Sequence, residues 1–505
     1  MSTSPTYMRL KGQSLVYAVT MSCSMGFLLF GFDIAFMGGL TTSTVFLDTF
    51  NNPNSSLLGF LISAYEVGAL FGALAEFVVG DRFGRKPNNV VGIIIVTIGA
   101  IIQASSFGIA QFLVGRFVAG FGLGIVSTVI PIWLAECTLP KSRGRMMAMQ
   151  LSNMLLGLII ATWLVYGVSF YSSSIQWRLP CAAPSILCLI PFLPESPRYL
   201  AATGQSERAS YVLAALRGHS EDHPEVMFEL QEIRYAIAVE SQEAGSWSDV
   251  FKDHGISGWQ RVLISWTSNF VQQMSGVNNS VGLSSHNALL VSGGLQVFYF
   301  LSSLIPWYVV DRVGRRRLFL LGSMGMGTCM LLSAVFVGIG TKGLGYAAIV
   351  VLYLFQTFFT LGWQSNMWIY PSELLPLKLR LRGGALSVVS QWLFTFVVVE
   401  ITPVMISNIT YKSYIVFALL NFVTIPVVYF FFPETSQLPL EMVDQLFADR
   451  DGKRPSIFRA VRDSTNKEFI AEMEVTLAER TKAREENERI LDEAKHAVEH
   501  LEKSV

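Results

Sequence analysis

The chain has 505 residues, of which 51% are hydrophobic and 15% charged, and its mean hydropathy is +0.46. Lys plus Arg and Asp plus Glu each number 37, so the formal net charge is zero. This composition excludes an ordinary soluble domain and offers no basic surface for nucleic acid. The cysteines (Cys23, Cys137, Cys181, Cys188, Cys329) lie in or beside apolar runs without paired spacing, so neither a disulfide framework nor a metal site is expected.

The polar stretch 1–14 leads into an apolar segment too long for a signal-peptide core and without an obvious cleavage site, which predicts a retained signal anchor. About 20 mostly apolar residues cross the hydrocarbon core. Twelve such runs occur: 15–40, 57–79, 90–107, 109–135, 146–170 and 179–193, then 259–283, 288–310, 318–339, 344–370, 384–407 and 414–432. The expected organisation is a cytosolic N-terminus (1–14), a six-helix half (15–193), a charged, partly helical cytosolic linker (194–258), a second six-helix half (259–433) and a cytosolic tail (434–505).

Gly-Asp-Arg-Phe-Gly-Arg-Lys at 80–86 is echoed by Val-Asp-Arg-Val-Gly-Arg-Arg at 310–316, and Glu136 with Arg143 is echoed by Glu373 with Arg380. Each copy joins two apolar runs, so the halves are related, as in transporters that switch between two arrangements around a central site. In the short loops, thirteen basic residues (Arg82, Arg85, Lys86, Lys141, Arg143, Arg145, Arg312, Arg315, Arg316, Arg317, Lys378, Arg380, Arg382) fall on one side and three (Arg178, Lys342, Lys412) on the other. By the positive-inside rule the first side, with both termini, is cytosolic. The sequons at Asn54 and Asn408 then face outside, Asn408 close to the bilayer.

Within the spans, ionisable residues are costly and mark function; they are Asp33, Glu66, Arg116 and Glu400. Asp33 and Arg116 both fall about 10 Å below the outer surface at 1.5 Å per residue, close enough in depth to pair. That pair could be functional or a static ion pair. Acids and arginines at the cytosolic helix ends can bridge the halves when the inner side is shut, or merely set topology. Glycines such as Gly68, Gly72, Gly120, Gly122 and Gly124 predict close helix packing. In the tail, Phe469, Met473, Leu477, Ile490, Ala494, Val498 and Leu501 have helical spacing, but Arg480 and Asn487 interrupt the stripe, so a solvated helix is expected over a coiled coil. No zinc-type histidine spacing or nucleophile elbow points to an enzyme.

The chain resembles the sugar porters of the major facilitator superfamily, most closely those of fungi, over about 15–447. The resemblance is carried by Gly31-Phe32-Asp33, Asp81 to Lys86, Gly115-Arg116, Glu136 with Arg143-Gly144-Arg145, Pro194-Glu195-Ser196-Pro197-Arg198, Gln272-Gln273-Met274-Ser275-Gly276-Val277-Asn278, Asp311 to Arg316, Tyr370-Pro371-Ser372-Glu373 with Arg380, and Pro433-Glu434-Thr435. It implies an all-α membrane protein of twelve transmembrane helices in two pseudo-symmetric halves, the major facilitator fold, with no cofactor. It implies proton coupling by Asp33 and Arg116, and an inner gate of Asp81, Arg85, Glu136, Arg143, Glu195, Asp311, Arg315, Glu373, Arg380 and Glu434. Substrate binding is implied for Gln272, Gln273, Asn278, Trp368, Gln391 and Trp392.

The chain departs from that pattern in places. Leu151 stands where the family carries a binding glutamine, with Gln150 beside it; Val281 and Gly282 replace an aromatic pair; Tyr299 replaces an asparagine. Residues 362–368 lack the expected prolines, and the connection 283–288 is short. A larger or less polar substrate, or a faulty gene reading, accounts for these. The leading expectation is a proton-coupled symporter of a sugar, polyol or related hydroxylated solute, multi-pass in the cell membrane. The alternatives are a facilitator or exporter of another metabolite or organic acid, and a nutrient sensor signalling through its tail.

Overall fold

The computed structural model describes residues 10–41, 43–138, 140–187, 194–243, 258–276, 286–375, 380–436, 438, 440–448, 456–466, 468–473 and 475. Among them every regular element is helical, because a spanning segment must satisfy its backbone hydrogen bonds internally. The first half comprises α1 (Gln13–Leu40), the short α2 (Thr44–Thr49), α3 (Ser55–Phe83), α4 (Arg85–Ala104), α5 (Ile109–Cys137), α6 (Pro140–Val168) and α7 (Ile175–Leu187). The linker folds as α8 (Pro197–Ala202), α9 (Ser206–Arg217) and α10 (Pro224–Glu243). The second half comprises α11 (Gly258–Met274), α12 (His286–Ser303) continued by α13 (Pro306–Val313), α14 (Arg315–Ile339), and α15 (Lys342–Phe359), which passes through a π-turn (Thr360–Gln364) into α16 (Asn366–Leu374). It closes with α17 (Arg380–Ile409) and α18 (Lys412–Phe431), followed by the tail helices α19 (Leu440–Leu446) and α20 (Ile457–Asp463).

Ten helical segments in the described residues are long and apolar enough to cross a bilayer. The other two expected spans are seen in part: α7 has 13 residues and α11 has 17, and each stops at or just before a stretch outside the described residues. In the first half α5 packs between α3 and α4, and α1 lies along α6; in the second, α14 lies between α15 and α18, and α11 lies along α17. The halves meet along two seams, α3 with α17 and α6 with α12.

Close approach of α3 and α5 depends on glycine, as expected: a Cβ on Gly68 or Gly72 would meet the carbonyl of Phe117 or Phe121, and one on Gly120 or Gly124 that of Tyr65 or Ala69. The linker and the near part of the tail are docked. Gly12 N donates to the Ala215 carbonyl at 2.7 Å, joining α1 to α9, and buried Arg261 on α11 pairs with Asp444 on α19 at 2.6 Å. Phe469 and Met473 pack on the second half's core, while the remainder of the predicted tail stripe, from 476, lies outside the described residues. The four described cysteines are free and buried.

Candidate functional site

Asp33 on α1, Tyr65 and Glu66 on α3, and Arg116 on α5 come together inside the first half, and Asp33 and Arg116 are each 1% exposed. Nη2 of Arg116 donates to the Ile62 carbonyl at 2.9 Å, and its guanidinium lies 4.4 Å from the Tyr65 ring centroid and 5.6 Å from that of Phe36. Asp33 is near enough to feel that charge and has the Tyr65 hydroxyl beside it. The pair expected from depth alone is nevertheless open. Nε and Nη1 of Arg116, Oδ2 of Asp33, Oε2 of Glu66 and the Tyr65 hydroxyl are buried without a hydrogen-bond partner. The arginine fork is turned onto the Tyr65 ring and the Ile62 carbonyl instead, leaving a buried acid and base poised but unjoined.

The described candidate substrate residues all belong to helices of the second half. Gln272 and Gln273 on α11 and Gln391 on α17 are buried, and Oε1 of Gln272 and of Gln391 has no partner. The two tryptophans reach across to α1: Trp368 is 6.3 Å from Phe27 and Trp392 5.4 Å from Phe30, centroid to centroid. Asn278, Val281, Gly282 and the connection from 283 lie outside the described residues. Leu151 is buried in the apolar cluster that contains Trp392, while Gln150, 1% exposed, has both amide atoms unpartnered. Thr20 meets Met146 at 3.7 Å, so the residues one turn on, Ser24 and Gln150, stand at the same level of the α1–α6 contact; Ser24 is also unpartnered. Tyr299 packs on Phe359 of α15 at 6.2 Å. At 362–368, where the expected prolines are absent, the helix passes through the π-turn. Its Gln364 is buried with neither amide atom bonded, and sequence reasoning passed over it because it matched no motif.

The internal repeat at 80–86 and 310–316 is also a repeat in geometry. Gly84 has φ 96° and Gly314 φ 94°, and each turn ends one helix and starts the next. Oε1 of Glu195 accepts from Arg85 N at 3.1 Å and Lys86 N at 3.2 Å; Glu434 accepts from Arg315 N at 2.8 Å and Arg316 N at 3.1 Å. Arg85 Nε lies 3.4 Å from Glu136, and Arg315 Nη2 lies 2.9 Å from Glu373. These contacts all stay within one half and the segment that trails it, and none joins one half to the other: Glu136 and Glu373 sit at helix ends of the same half as their arginines, and Glu195 and Glu434 fold back from the trailing segment. The reason is local: a helix N-terminus offers free N–H groups and positive partial charge, and the nearest carboxylate settles there. Desolvation pushes the Glu195 carboxyl above the ordinary range, against the opposing pull of the Ser196, Lys86 and Arg85 amides. The side chains of Asp81, Arg143, Asp311 and Arg380 lie outside the described residues.

Glu400, which sequence left without a role, accepts from Ser63 Oγ at 2.8 Å and so links α17 to α3 across the seam. Asn54 caps α3, accepting from Leu57 N at 2.8 Å, whereas Asn408 sits in the last turn of α17 with Nδ2 bound to the Val404 carbonyl at 2.9 Å. Among the described residues one group has metal-ligand proximity: His219, His223 and Glu225, in the linker. The histidine rings stack at 4.0 Å and His219 lies 3.4 Å from Glu225, so an open imidazole–carboxylate pair explains the cluster.

Comparison with known proteins gives a consistent assignment. The family described as "Sugar (and other) transporter" matches residues 18–447. The MFS-type transporter oryC of Aspergillus oryzae is 34% identical, with 87% of each chain covered. Sugar transporter STL1 of Saccharomyces cerevisiae is 33% identical, with 88% of this chain and 84% of the relative covered. Among solved structures, the proton:xylose symporter XylE bound to 6-bromo-6-deoxy-D-glucose superposes with TM-score 0.73 at 22% identity, covering 86% of this chain and 99% of that one, which speaks for the fold. With its two related helical halves and its two seams, the chain adopts the major facilitator fold and belongs to the sugar (and other) transporter family, whose members move solutes and are not enzymes.

Proposed function

We propose that this transporter carries a sugar, polyol or related small hydroxylated solute by alternating access, in symport with protons, across the cell membrane with both termini in the cytosol. The observation that carries the reading is the open Asp33–Arg116 site: a buried acid beside a buried base, each with unpartnered polar atoms. Protonation of Asp33 changes the charge of the pair, and any difference in how the two arrangements of the halves accommodate that charge ties solute movement to the proton gradient. Gln272, Gln273 and Gln391 supply hydrogen-bonding groups and Trp368 and Trp392 supply aromatic faces, the combination a hydroxylated ring or chain requires; Asn278 completes the set by resemblance. The names of STL1 and XylE agree with such a substrate and, for XylE, with proton coupling.

In this reading the ten cytosolic charged residues form the inner gate in two tiers. Arg85, Glu136, Glu195, Arg315, Glu373 and Glu434 keep the loops of each half rigid, and Asp81, Arg143, Asp311 and Arg380 are left to act between halves. Asn54 is the better glycan acceptor, because a sugar on Nδ2 leaves its capping oxygen free. Leu151 and Tyr299 favour a second reading, a less polar metabolite moved in either direction. Uptake of labelled hexoses, pentoses, sorbitol and glycerol by yeast lacking its own hexose and glycerol uptake tests the proposal. Uptake of at least one neutral polyhydroxylated solute, lost on adding a protonophore, is expected; none for any of them would overturn it.

A further inference from the structure

Trp363 of the π-turn donates its indole N–H to Ser323 Oγ on α14 at 3.0 Å, so that side of the turn faces away from the seam. Gln364 lies one turn before Trp368 and therefore on the same face of the helix, the face from which Trp368 reaches Phe27 of the other half. The turn is locked in place: Asn366 Nδ2 donates to the Gly362 carbonyl at 2.8 Å, and Gly362 abuts Gly322 with a built Cβ only 2.6 Å from the Gly322 Cα. Gln364 is 5% exposed, and neither Oε1 nor Nε2 has a partner, which holds whichever way the amide is turned.

From this, and building on the transport reading above, we infer that Gln364 is a substrate-binding residue that selects uncharged, hydroxyl-bearing solutes over carboxylates. A buried primary amide with both ends open is costly unless something on the solute side satisfies it. A hydroxyl donates and accepts at once, so one polyol edge satisfies both ends. A carboxylate only accepts, so where it takes the place of the hydroxyl that faces Gln364 it leaves the amide oxygen without a donor. The π-turn ends at Gln364, one helical turn before the Trp368 that touches the other half. Widened helical turns of this kind are frequent at functional sites.

The test uses the full-length protein in detergent, with glycerol, sorbitol and glucose as neutral probes and gluconate as the charged counterpart of sorbitol. Ligand-induced thermal shifts and binding isotherms are read for the wild type, Gln364→Leu and Gln364→Asn. In Gln364→Leu the neutral probes that the wild type binds should weaken about ten- to a hundredfold, the cost of one unmade buried hydrogen-bond set, and the preference over gluconate should shrink. Gln364→Asn should fall between. The melting temperature without solute should stay the same or rise in Gln364→Leu, since an unpartnered buried amide has gone. Unchanged affinity in both variants overturns the assignment, and so does a lower solute-free melting temperature with affinity intact, the mark of a purely structural residue. Failure of the wild type to bind any neutral probe removes the substrate reading itself, and this assignment with it.

Discussion

Gly314→Ala tests whether the repeated turn and its carboxylate form one unit. A Cβ at Gly314 would stand 2.5 Å from Glu434 Oε2, so the carboxylate must leave the Arg315 and Arg316 amides it now accepts from at 2.8 and 3.1 Å. A φ of 94° is also foreign to alanine and costs about 1–3 kcal/mol. Hydrogen bonds to a charged group contribute about 1.5–3 kcal/mol each, and after discounting for partial exposure the two-amide cap is worth on the order of 2–3 kcal/mol. Gly314→Ala should therefore cost roughly 3–6 kcal/mol, being strain plus cap. Glu434→Ala should cost about 2–3 kcal/mol, the cap alone. The double variant should cost no more than Gly314→Ala, because the cap can be lost only once. Equilibrium unfolding of the full-length protein in mixed micelles would then report a coupling of about 2–3 kcal/mol. Costs that add to within about 0.5 kcal/mol would refute the claim that glycine and glutamate act together.

Two other outcomes follow from the same geometry. Glu195 has its folded pKa raised above the model-peptide value of 4.5, so the folded state holds its proton more tightly than the unfolded chain does. Its contribution to stability is fully present below 4.5 and is lost as pH rises through the folded value; relative to Glu195→Gln, the wild type should melt progressively lower as pH is raised across that window, and parallel melting curves would contradict this. Glu400→Ala removes the acceptor that Ser63 holds across the α3–α17 seam, and should raise labelling of an outward-facing cysteine placed near residue 63; labelling equal to wild type would show that the contact does not hold the halves together.

Much of this was legible in the sequence, because apolar length determines spans and the interleaved Asp, Gly and Arg residues mark the tight turns between them. The repeat at 80–86 and 310–316 was read as a sign of two related halves, and the two loops do share a backbone conformation at Gly84 and Gly314. What sequence could not supply was rotation about each helix axis. Knowing that Asp33 and Arg116 share a depth does not reveal that the guanidinium turns to the Tyr65 ring. Knowing that Glu195 and Glu434 follow a span does not reveal that they fold back onto the N-termini of α4 and α14. Ser63 and Glu400 are 337 residues apart, and Gln364 depends on a π-turn that no proline or glycine pair announces.

The central claim is that the charge state of Asp33 couples solute to protons. The most direct measurement is accumulation of the identified solute against its gradient by cells expressing wild type or Asp33→Asn, with solute exchange recorded alongside. The account predicts that wild type concentrates solute and loses this with a protonophore, while Asp33→Asn exchanges solute but cannot concentrate it. An Asp33→Asn variant that still concentrates solute, together with a wild type indifferent to the protonophore, would contradict it.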